Sequence, residues 1–294
     1  MKYYLIITLV FNVFVASAQN KRTFTYAVKA LDRLKLDVYT PEDIEPDQKL
    51  PVLIWMHGGG FSGGSREGDQ ELRLMEYIAA KGIIGVSISY RLLRRGTKTG
   101  FGCQCSKEEK LYTFAMAAED FLDATNFIVD KSDSLHIDAS KIIAGGSSAG
   151  AEAVLSAVYM KDYFIENTSV YDDIKFAGVL SYAGAMVDES YITEANAVPT
   201  ILFHGSKDDL VPYAKAPHHF CDEDDPGFLV LNGSDIIFRQ LEQLNTSYYL
   251  YKVENGKHEV ATIVFEHLDP IMSFISHTII DSKVIQTKQL EVKE

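Results

Sequence analysis

Short apolar runs alternate with amphipathic segments along most of the chain. Continuous apolar residues predict buried strands at 50–56, 83–90, 141–145, 176–182, 199–203 and 248–253. Apolar residues at helical spacing predict helices over 71–80, 111–129, 151–158, 236–244 and 262–280. Residues 23–29 and 34–39 alternate as a leading antiparallel pair, turned at 32–33. Strands that alternate with helices predict a mostly parallel central sheet with helices on both faces.

The chain divides into three unequal segments. Residues 1–18 have the pattern of a signal peptide, since Lys2 precedes an apolar run and Ala16-Ser17-Ala18 is a small-residue cleavage site. The run is shorter than the roughly 20 residues that span a bilayer, so we expect a secreted or periplasmic protein without a stable membrane anchor. No linker interrupts residues 19–280, which predict a single domain. The charged residues 281–294 are expected to be a loose polar C-terminal tail.

Composition and charge narrow the function classes. An apolar fraction of 47% is ample for a core, and the net charge of −13 argues against nucleic acid and anionic membranes as partners. Neither the apolar fraction nor the net charge predicts the oligomeric state.

Three cysteines suit an oxidising compartment and one disulfide. A bridge from either Cys103 or Cys105 to Cys221 would join two loops. A metal site that adds the histidines at 218–219 matches no zinc spacing, so we expect no metal. The acidic run 221–225 is expected to be a solvated loop rather than a calcium site.

Residues 146–150 read Gly-Ser-Ser-Ala-Gly, between a predicted strand and a predicted helix. This is the context of a nucleophile elbow, a strained turn that exposes a serine hydroxyl at the edge of a sheet. Ser148 is the predicted nucleophile. Ser147 fits less well, because the same frame would need glycine where the chain has Ala149.

A serine nucleophile needs a base and a carboxylate that orients the base. In this fold the chain order is Ser, Asp or Glu, then His, each on a loop after a strand. Asp208 follows the strand ending at residue 203, and His258 follows the strand ending at residue 253. Asp209 is the rival acid, but it fits a solvated turn better. His258 alone among the 8 histidines has both the order and the loop position.

A glycine-rich stretch provides candidate oxyanion donors. Residues 57–61 read His-Gly-Gly-Gly-Phe directly after a predicted strand. Backbone N–H groups of Gly59, Gly60 and Ala149 are predicted to form an oxyanion hole. A phosphate-binding loop is excluded, because neither a Gly-Lys-Ser/Thr ending nor a G-x-G-x-x-G frame is present.

Several motifs together resemble the α/β-hydrolase fold and, within it, the hormone-sensitive-lipase-like carboxylesterases. They are His-Gly-Gly-Gly-Phe at 57–61, Ser-Tyr-Arg-Leu at 89–92, Ile-Asp-Ala-Ser-Lys-Ile at 137–142, Gly-Ser-Ser-Ala-Gly at 146–150, His-Gly-x-x-Asp-x-x-Val-Pro at 204–212 and the late His258. The resemblance implies the same nucleophile, acid, base and oxyanion hole. Ser147 departs from it, since the family usually carries Asp or Glu there.

The sequence therefore predicts a serine esterase that needs no cofactor and acts on a small-molecule or glycan ester. An exopeptidase of the same fold is one alternative, although no acidic residues can be assigned to hold a substrate amino terminus. A non-catalytic binding module is another, although such proteins commonly lose a triad member and all three candidates are present.

Overall fold

Nine strands form one sheet in the computed structural model, which describes residues 20–30, 32–263 and 265–293. The predicted signal peptide, residues 1–18, lies outside the described residues. The strands are β1 (Asn20–Lys29), β2 (Asp32–Thr40), β3 (Leu50–Met56), β4 (Ile84–Ile88), β5 (Ile137–Ser147), β6 (Phe176–Tyr182), β7 (Thr200–Gly205), β8 (Lys215–Pro217), β9 (Val230–Asn232), β10 (Tyr248–Glu254) and β11 (Gln286–Val292). The helices are α1 (Asp69–Ala80), α2 (Lys107–Asp130), α3 (Ala149–Tyr159), α4 (Lys161–Phe164), α5 (Ser234–Gln243) and α6 (Leu268–Ile275).

The sheet order is β1-β2-β4-β3-β5-β6-β7-β10-β11. β1 and β2 pair antiparallel with each other, β2 pairs antiparallel with β4, and every other neighbouring pair is parallel. β8 and β9, which the sequence pattern did not predict, form a separate two-stranded sheet. The predicted mostly parallel sheet is confirmed, and its parallel strands end at one edge, where the loops that follow them meet.

Helices cover both faces of the sheet, as predicted. On one face, α2, α3 and α5 pack through residues such as Phe121, Val154 and Phe238. On the other face, α1 and α6 pack through residues such as Met75 and Phe274. Both faces of the central strands are therefore buried, which explains their continuous apolar runs. Within the described ranges, no helix combines the length and apolar character that a bilayer span requires.

The C-terminal region differs most from the sequence expectation. The loose tail predicted from residue 281 is wrong for β11, which pairs in parallel with β10 from Tyr248↔Gln286 onward. The hydroxyl groups of Tyr249 and Tyr251 also donate to Gln289 and Glu291. An edge strand needs only backbone pairing on one side, so its polar side chains carry no apolar signal.

Two predicted boundaries also move. The helix predicted over 262–280 begins as α-helix only at Leu268, and Pro270 lies in its first turn, where a missing N–H is tolerated. The N-terminal chain reversal comes before Asp32, because Asp32 already pairs with Lys29 in the sheet.

Candidate active site

The 146–150 turn connects the end of β5 to the start of α3. Ser148 stands between the two elements with φ 51° and ψ −125°. A positive φ is costly for a non-glycine residue and persists only where surrounding structure imposes it. The predicted strand–turn–helix context is thus present, with the strained residue at its centre.

The two glycines of this turn are set by close backbone packing. A Cβ atom on Gly150 would lie 2.1 Å from the carbonyl oxygen of Met56 in β3. A Cβ on Gly146 would lie 2.6 Å from the carbonyl carbon and oxygen of Gly150. Both distances are far inside van der Waals contact, so the path of the turn requires glycine at both positions.

Ser148, His258 and Asp208 form a chain of hydrogen bonds. His258 Nε2 lies 2.8 Å from Ser148 Oγ, and His258 Nδ1 lies 2.7 Å from Asp208 Oδ2. A carboxylate only accepts, so Nδ1 carries the ring proton and Nε2 is free to accept from the serine hydroxyl. The structure brings together these three residues, which are predicted from loops after three different strands.

The surroundings of Asp208 hold it as a carboxylate. Its Oδ1 accepts the backbone N–H groups of Leu210 and Val211, both at 2.9 Å. Burial alone would raise the pKa of Asp208, but its hydrogen bonds and electrostatic interactions with His204 and His258 outweigh burial and hold that pKa well below its usual value.

His204 is a residue whose role the sequence did not reveal. It is fully buried, with Nε2 3.4 Å from Asp208 Oδ2 and 3.0 Å from the carbonyl oxygen of Val211. Its Nδ1 lies 2.8 Å from Ser234 Oγ at the start of α5. In the sequence it is the first residue of the 204–212 motif, and the structure places it beside Asp208 Oδ2, the atom that His258 also contacts. Its position at the end of a buried strand, four residues before Asp208, was the available signal.

His258 has a shifted proton affinity. Burial lowers its pKa, but the hydrogen bond and negative charge of Asp208, with smaller contributions from Glu152 and Asp209, raise it above the ordinary 6.5. The balance reflects a carboxylate that stabilises the imidazolium form.

The two rival residues have other partners. Ser147 Oγ donates to the carbonyl oxygen of Ala261 at 2.7 Å, which ties the 146–150 turn to the segment that carries His258. Asp209 is exposed and pairs with Lys257 at 3.2 Å. These contacts account for both side chains without a place in the hydrogen-bond chain.

The glycine loop, residues 57–61, follows β3 directly. Gly59 and Gly60 have φ of +117° and +58°, and the Gly59 carbonyl accepts the N–H groups of Ser62 and Gly63 at 3.0 Å. Among the described residues, no hydrogen bond uses the N–H of Gly59 or Gly60. Both glycines line one cavity together with Ala149, the first residue of α3.

Buried aromatic residues fix the glycine loop. His57 is buried, its Nδ1 lies 2.7 Å from the carbonyl oxygen of Gly58, and its own carbonyl accepts the Tyr90 hydroxyl at 2.9 Å. Burial lowers the pKa of His57 to about 4, so the ring is neutral near pH 7. Phe61 packs edge-on against Phe101 at 4.7 Å. The loop therefore presents its N–H groups from a rigid base.

The cavity has a volume of about 650 Å³ and contains Ser148 and His258 in its lining. A disulfide joins Cys103 to Cys221 and so links the segments that contribute Phe101 and His218 to this lining. Cys105, the other partner considered for Cys221, is free and buried. In the acidic run, the backbone N–H of Asp222 donates to Asp225 at 2.9 Å.

Comparison with known proteins identifies a family and several proteins to which this chain is similar. The family model BD-FAE matches residues 36–186, just over half of the chain. The match contains the glycine loop and Ser148, whereas Asp208 and His258 lie beyond it.

Curated relatives match over shorter segments. The cAMP-regulated D2 protein of Dictyostelium discoideum is 33% identical over 136 residues, which is 45% of this chain and 23% of that protein. Esterase B1 of Culex pipiens is 30% identical over 123 residues, 42% of this chain and 21% of that protein. The chain thus spans about a fifth of the length of these relatives.

Solved structures match over nearly the whole fold. Esterase 2 of Thermogutta terrifontis, in the form phosphorylated by paraoxon, superposes with a TM-score of 0.64 at 17% identity, covering 91% of this chain and 96% of that chain. At this identity the likeness establishes the α/β-hydrolase fold.

Packing of the 146–150 turn leads to a first prediction. Gly150→Ala forces a methyl group against the Met56 carbonyl, so we expect the free energy of unfolding to fall by about 3 kcal/mol. Gly63→Ala is the matched control, because its nearest neighbour would be 3.9 Å away, and it should stay within about 1 kcal/mol of the unsubstituted protein. Urea unfolding measures both. Equal stability of the two variants would contradict the packing argument.

Proposed function

The chain belongs to the BD-FAE family, and from its site we propose that it is a serine hydrolase of carboxylic esters. The hydrogen-bond chain from Ser148 through His258 to Asp208, with links of 2.8 and 2.7 Å, is the observation that carries the proposal. Serine becomes a useful nucleophile only when a base accepts its proton and a third group orients that base.

The reaction has two halves. His258 accepts the Ser148 proton as Oγ attacks the ester carbonyl, and the tetrahedral oxyanion accepts N–H groups of Gly59, Gly60 and Ala149. Collapse breaks the bond to the alcohol, which leaves with the proton from His258. Water then gives a proton to His258 and attacks the acyl-enzyme, and the acid is released as Oγ regains its proton.

Asp208 acts through His258. Its low pKa keeps it ionised throughout the working pH range, so it holds the ring tautomer and stabilises the imidazolium that forms in each half-reaction. His204 and the N–H groups of Leu210 and Val211 keep this carboxylate in place.

Small acyl esters or sugar-linked esters are the substrates that we propose. A cavity of about 650 Å³ is within the range of sites that hold small ligands, and Ser148 is part of its lining. A panel of p-nitrophenyl esters of increasing acyl length, with acetylated and feruloylated glycans, would rank these classes.

A first experiment removes the nucleophile. Ser148→Ala should lower kcat for p-nitrophenyl acetate by at least about 10⁴-fold and abolish labelling by a fluorophosphonate, because the attacking oxygen is lost. Ser147→Ala is the matched control and should still be labelled, since its hydroxyl bonds Ala261. Labelling of the Ser148→Ala protein at an unchanged melting temperature would overturn the assignment.

A second experiment follows pH. His258 must be neutral to accept the serine proton, and its pKa is raised above 6.5, so activity should be present above that pKa and be lost as pH falls through it. The acid limb of kcat/KM for p-nitrophenyl acetate should therefore have its midpoint above pH 6.5. Recovery of activity on return to pH 8, together with an unchanged circular dichroism spectrum at the acid midpoint, excludes acid unfolding as the cause. A midpoint below 6.5 would contradict this electrostatic account.

Export is part of the proposal. The signal-like pattern of residues 1–18 and the Cys103–Cys221 bridge both suit a protein that matures in an oxidising compartment. Expression of the full chain followed by N-terminal sequencing should find Gln19 as the first residue of the mature protein. A protein that stays reduced in the cytosol with residues 1–18 intact would exclude export.

A further inference from the structure

Two buried polar side chains in the cavity wall have atoms without partners. Glu152 and His218 are each 1% exposed, and Glu152 Oε1 lies 3.3 Å from His218 Nε2. Neither Glu152 Oε1 nor His218 Nδ1 makes a hydrogen bond within the described part of the chain. Buried polar atoms without a partner are rare, because they lose their hydrogen bonds to water and gain none.

Glu152 lies close to Ser148 along α3. Its backbone N–H donates to the Ser148 carbonyl at 3.0 Å, so it follows Ser148 by one helical turn and shares its side of the helix. Helical side chains lean toward the N-terminus of their helix. The Glu152 carboxyl group therefore leans toward the 146–150 turn, and both residues line the same cavity.

His218 is held in place from three sides. Its backbone N–H donates to the carbonyl oxygen of Leu229 at 2.8 Å, and its ring packs against Phe101 at 5.3 Å and Phe114 at 6.2 Å. The disulfide at Cys221, three residues later, fixes the same segment to the Phe101 loop. The imidazole is thus pre-positioned in the wall of the cavity.

The charges around the pair favour a neutral ligand. Burial raises the pKa of Glu152 to about 8, although His258 and Lys110 oppose the rise. Burial, Lys110 and His258 hold the pKa of His218 well below its ordinary value, so its ring is neutral. Lys110 is itself buried and donates to the Gly227 carbonyl at 2.6 Å. A positive charge near the site already disfavours a second cation.

We propose that Glu152 and His218 bind a hydroxyl group of the ester substrate and so determine specificity beside Ser148. A hydroxyl has one proton to donate and lone pairs to accept, and a carboxyl group with a neutral imidazole offers partners for both. A methyl group in the same place would leave Glu152 Oε1 and His218 Nδ1 without hydrogen-bond partners. An ammonium group there would be repelled by the positive charge of Lys110. This inference rests on the proposed ester hydrolysis.

Matched esters test the inference in the unsubstituted protein. On the acyl side, ethyl lactate, ethyl isobutyrate and ethyl alaninate place hydroxyl, methyl and ammonium groups at one position. On the alcohol side, 2-hydroxyethyl acetate and propyl acetate exchange hydroxyl for methyl. We expect kcat/KM about 10- to 100-fold higher for the hydroxyl ester on one of the two sides. Equal values on both sides, or a preference for the ammonium ester, would overturn the proposal.

Variants then assign the preference to the pair. Glu152→Leu should abolish the ratio of hydroxyl to methyl esters, whereas Glu152→Gln, which still hydrogen-bonds, should keep part of it. Glu71→Gln is the matched control, because Glu71 lines the same cavity from α1, and it should keep the full ratio. A full ratio in a folded Glu152→Leu protein, judged by its melting curve, would also overturn the proposal.

A binding measurement separates this inference from the proposed function. Ligand-detected NMR titration of the Ser148→Ala protein with the same esters compares affinities without turnover. We expect the Ser148→Ala protein to bind the hydroxyl ester about tenfold more tightly. If the unsubstituted protein does not hydrolyse p-nitrophenyl acetate, that result contradicts the proposed esterase activity but not the hydroxyl site. Equal affinities in the Ser148→Ala protein, with hydrolysis of p-nitrophenyl acetate by the unsubstituted protein, would contradict the hydroxyl site and leave the esterase activity standing.

Discussion

The contact between the 146–150 turn and β3 decides where the nucleophile candidate can lie. Gly150 sits so close to the Met56 carbonyl that no side chain fits between them, and Gly146 is also too close to Gly150 for a side chain. This packing brings the start of α3 against the sheet and leaves Ser148 with φ 51° at the edge. The glycine loop follows Met56 directly, so the same contact also sets the distance between Ser148 and the loop, whose Gly59 and Gly60 line the same cavity.

A second layer of polar contacts holds the proton-transfer groups. Ser234, His204, Asp208, His258 and Ser148 are linked in sequence, and the first three are fully or nearly fully buried. Such a chain stays rigid because each polar atom that left water has a partner inside the protein. Glu152 and His218 are the exception, since atoms of both remain unpartnered in the same cavity. The side chains proposed to transfer protons are thus hydrogen-bonded to one another, whereas the two side chains proposed to bind the substrate have polar atoms without partners.

Much of this arrangement could be read from the sequence because its signals are local. Apolar runs predicted the central strands, and the Gly-Ser-Ser-Ala-Gly turn predicted the strained serine between β5 and α3. The features that were missed depend on distant partners or on the backbone alone. β11 has polar side chains and gains its order from pairing with β10. His204 opens the motif at 204–212, but the motif assigns it no contact with Asp208, and His218 carries no motif; the contacts of both side chains follow only from what the fold packs against them. The choice of Cys103 over Cys105 was equally a matter of tertiary geometry.

The Cys103–Cys221 disulfide encloses two of the three residues of the hydrogen-bond chain in one covalent loop. It closes a loop of sequence separation 118 that contains both Ser148 and Asp208, while His258 lies outside the loop. In an unfolded but oxidised chain, the nucleophile and the acid candidates stay within one covalent ring, which lowers the conformational entropy lost when they meet. His258 has no such tether. The disulfide therefore lowers the entropic cost of bringing Ser148 and Asp208 together. The entropic cost of placing His258 beside them is not reduced by the disulfide and is offset by the folding of the C-terminal part of the chain.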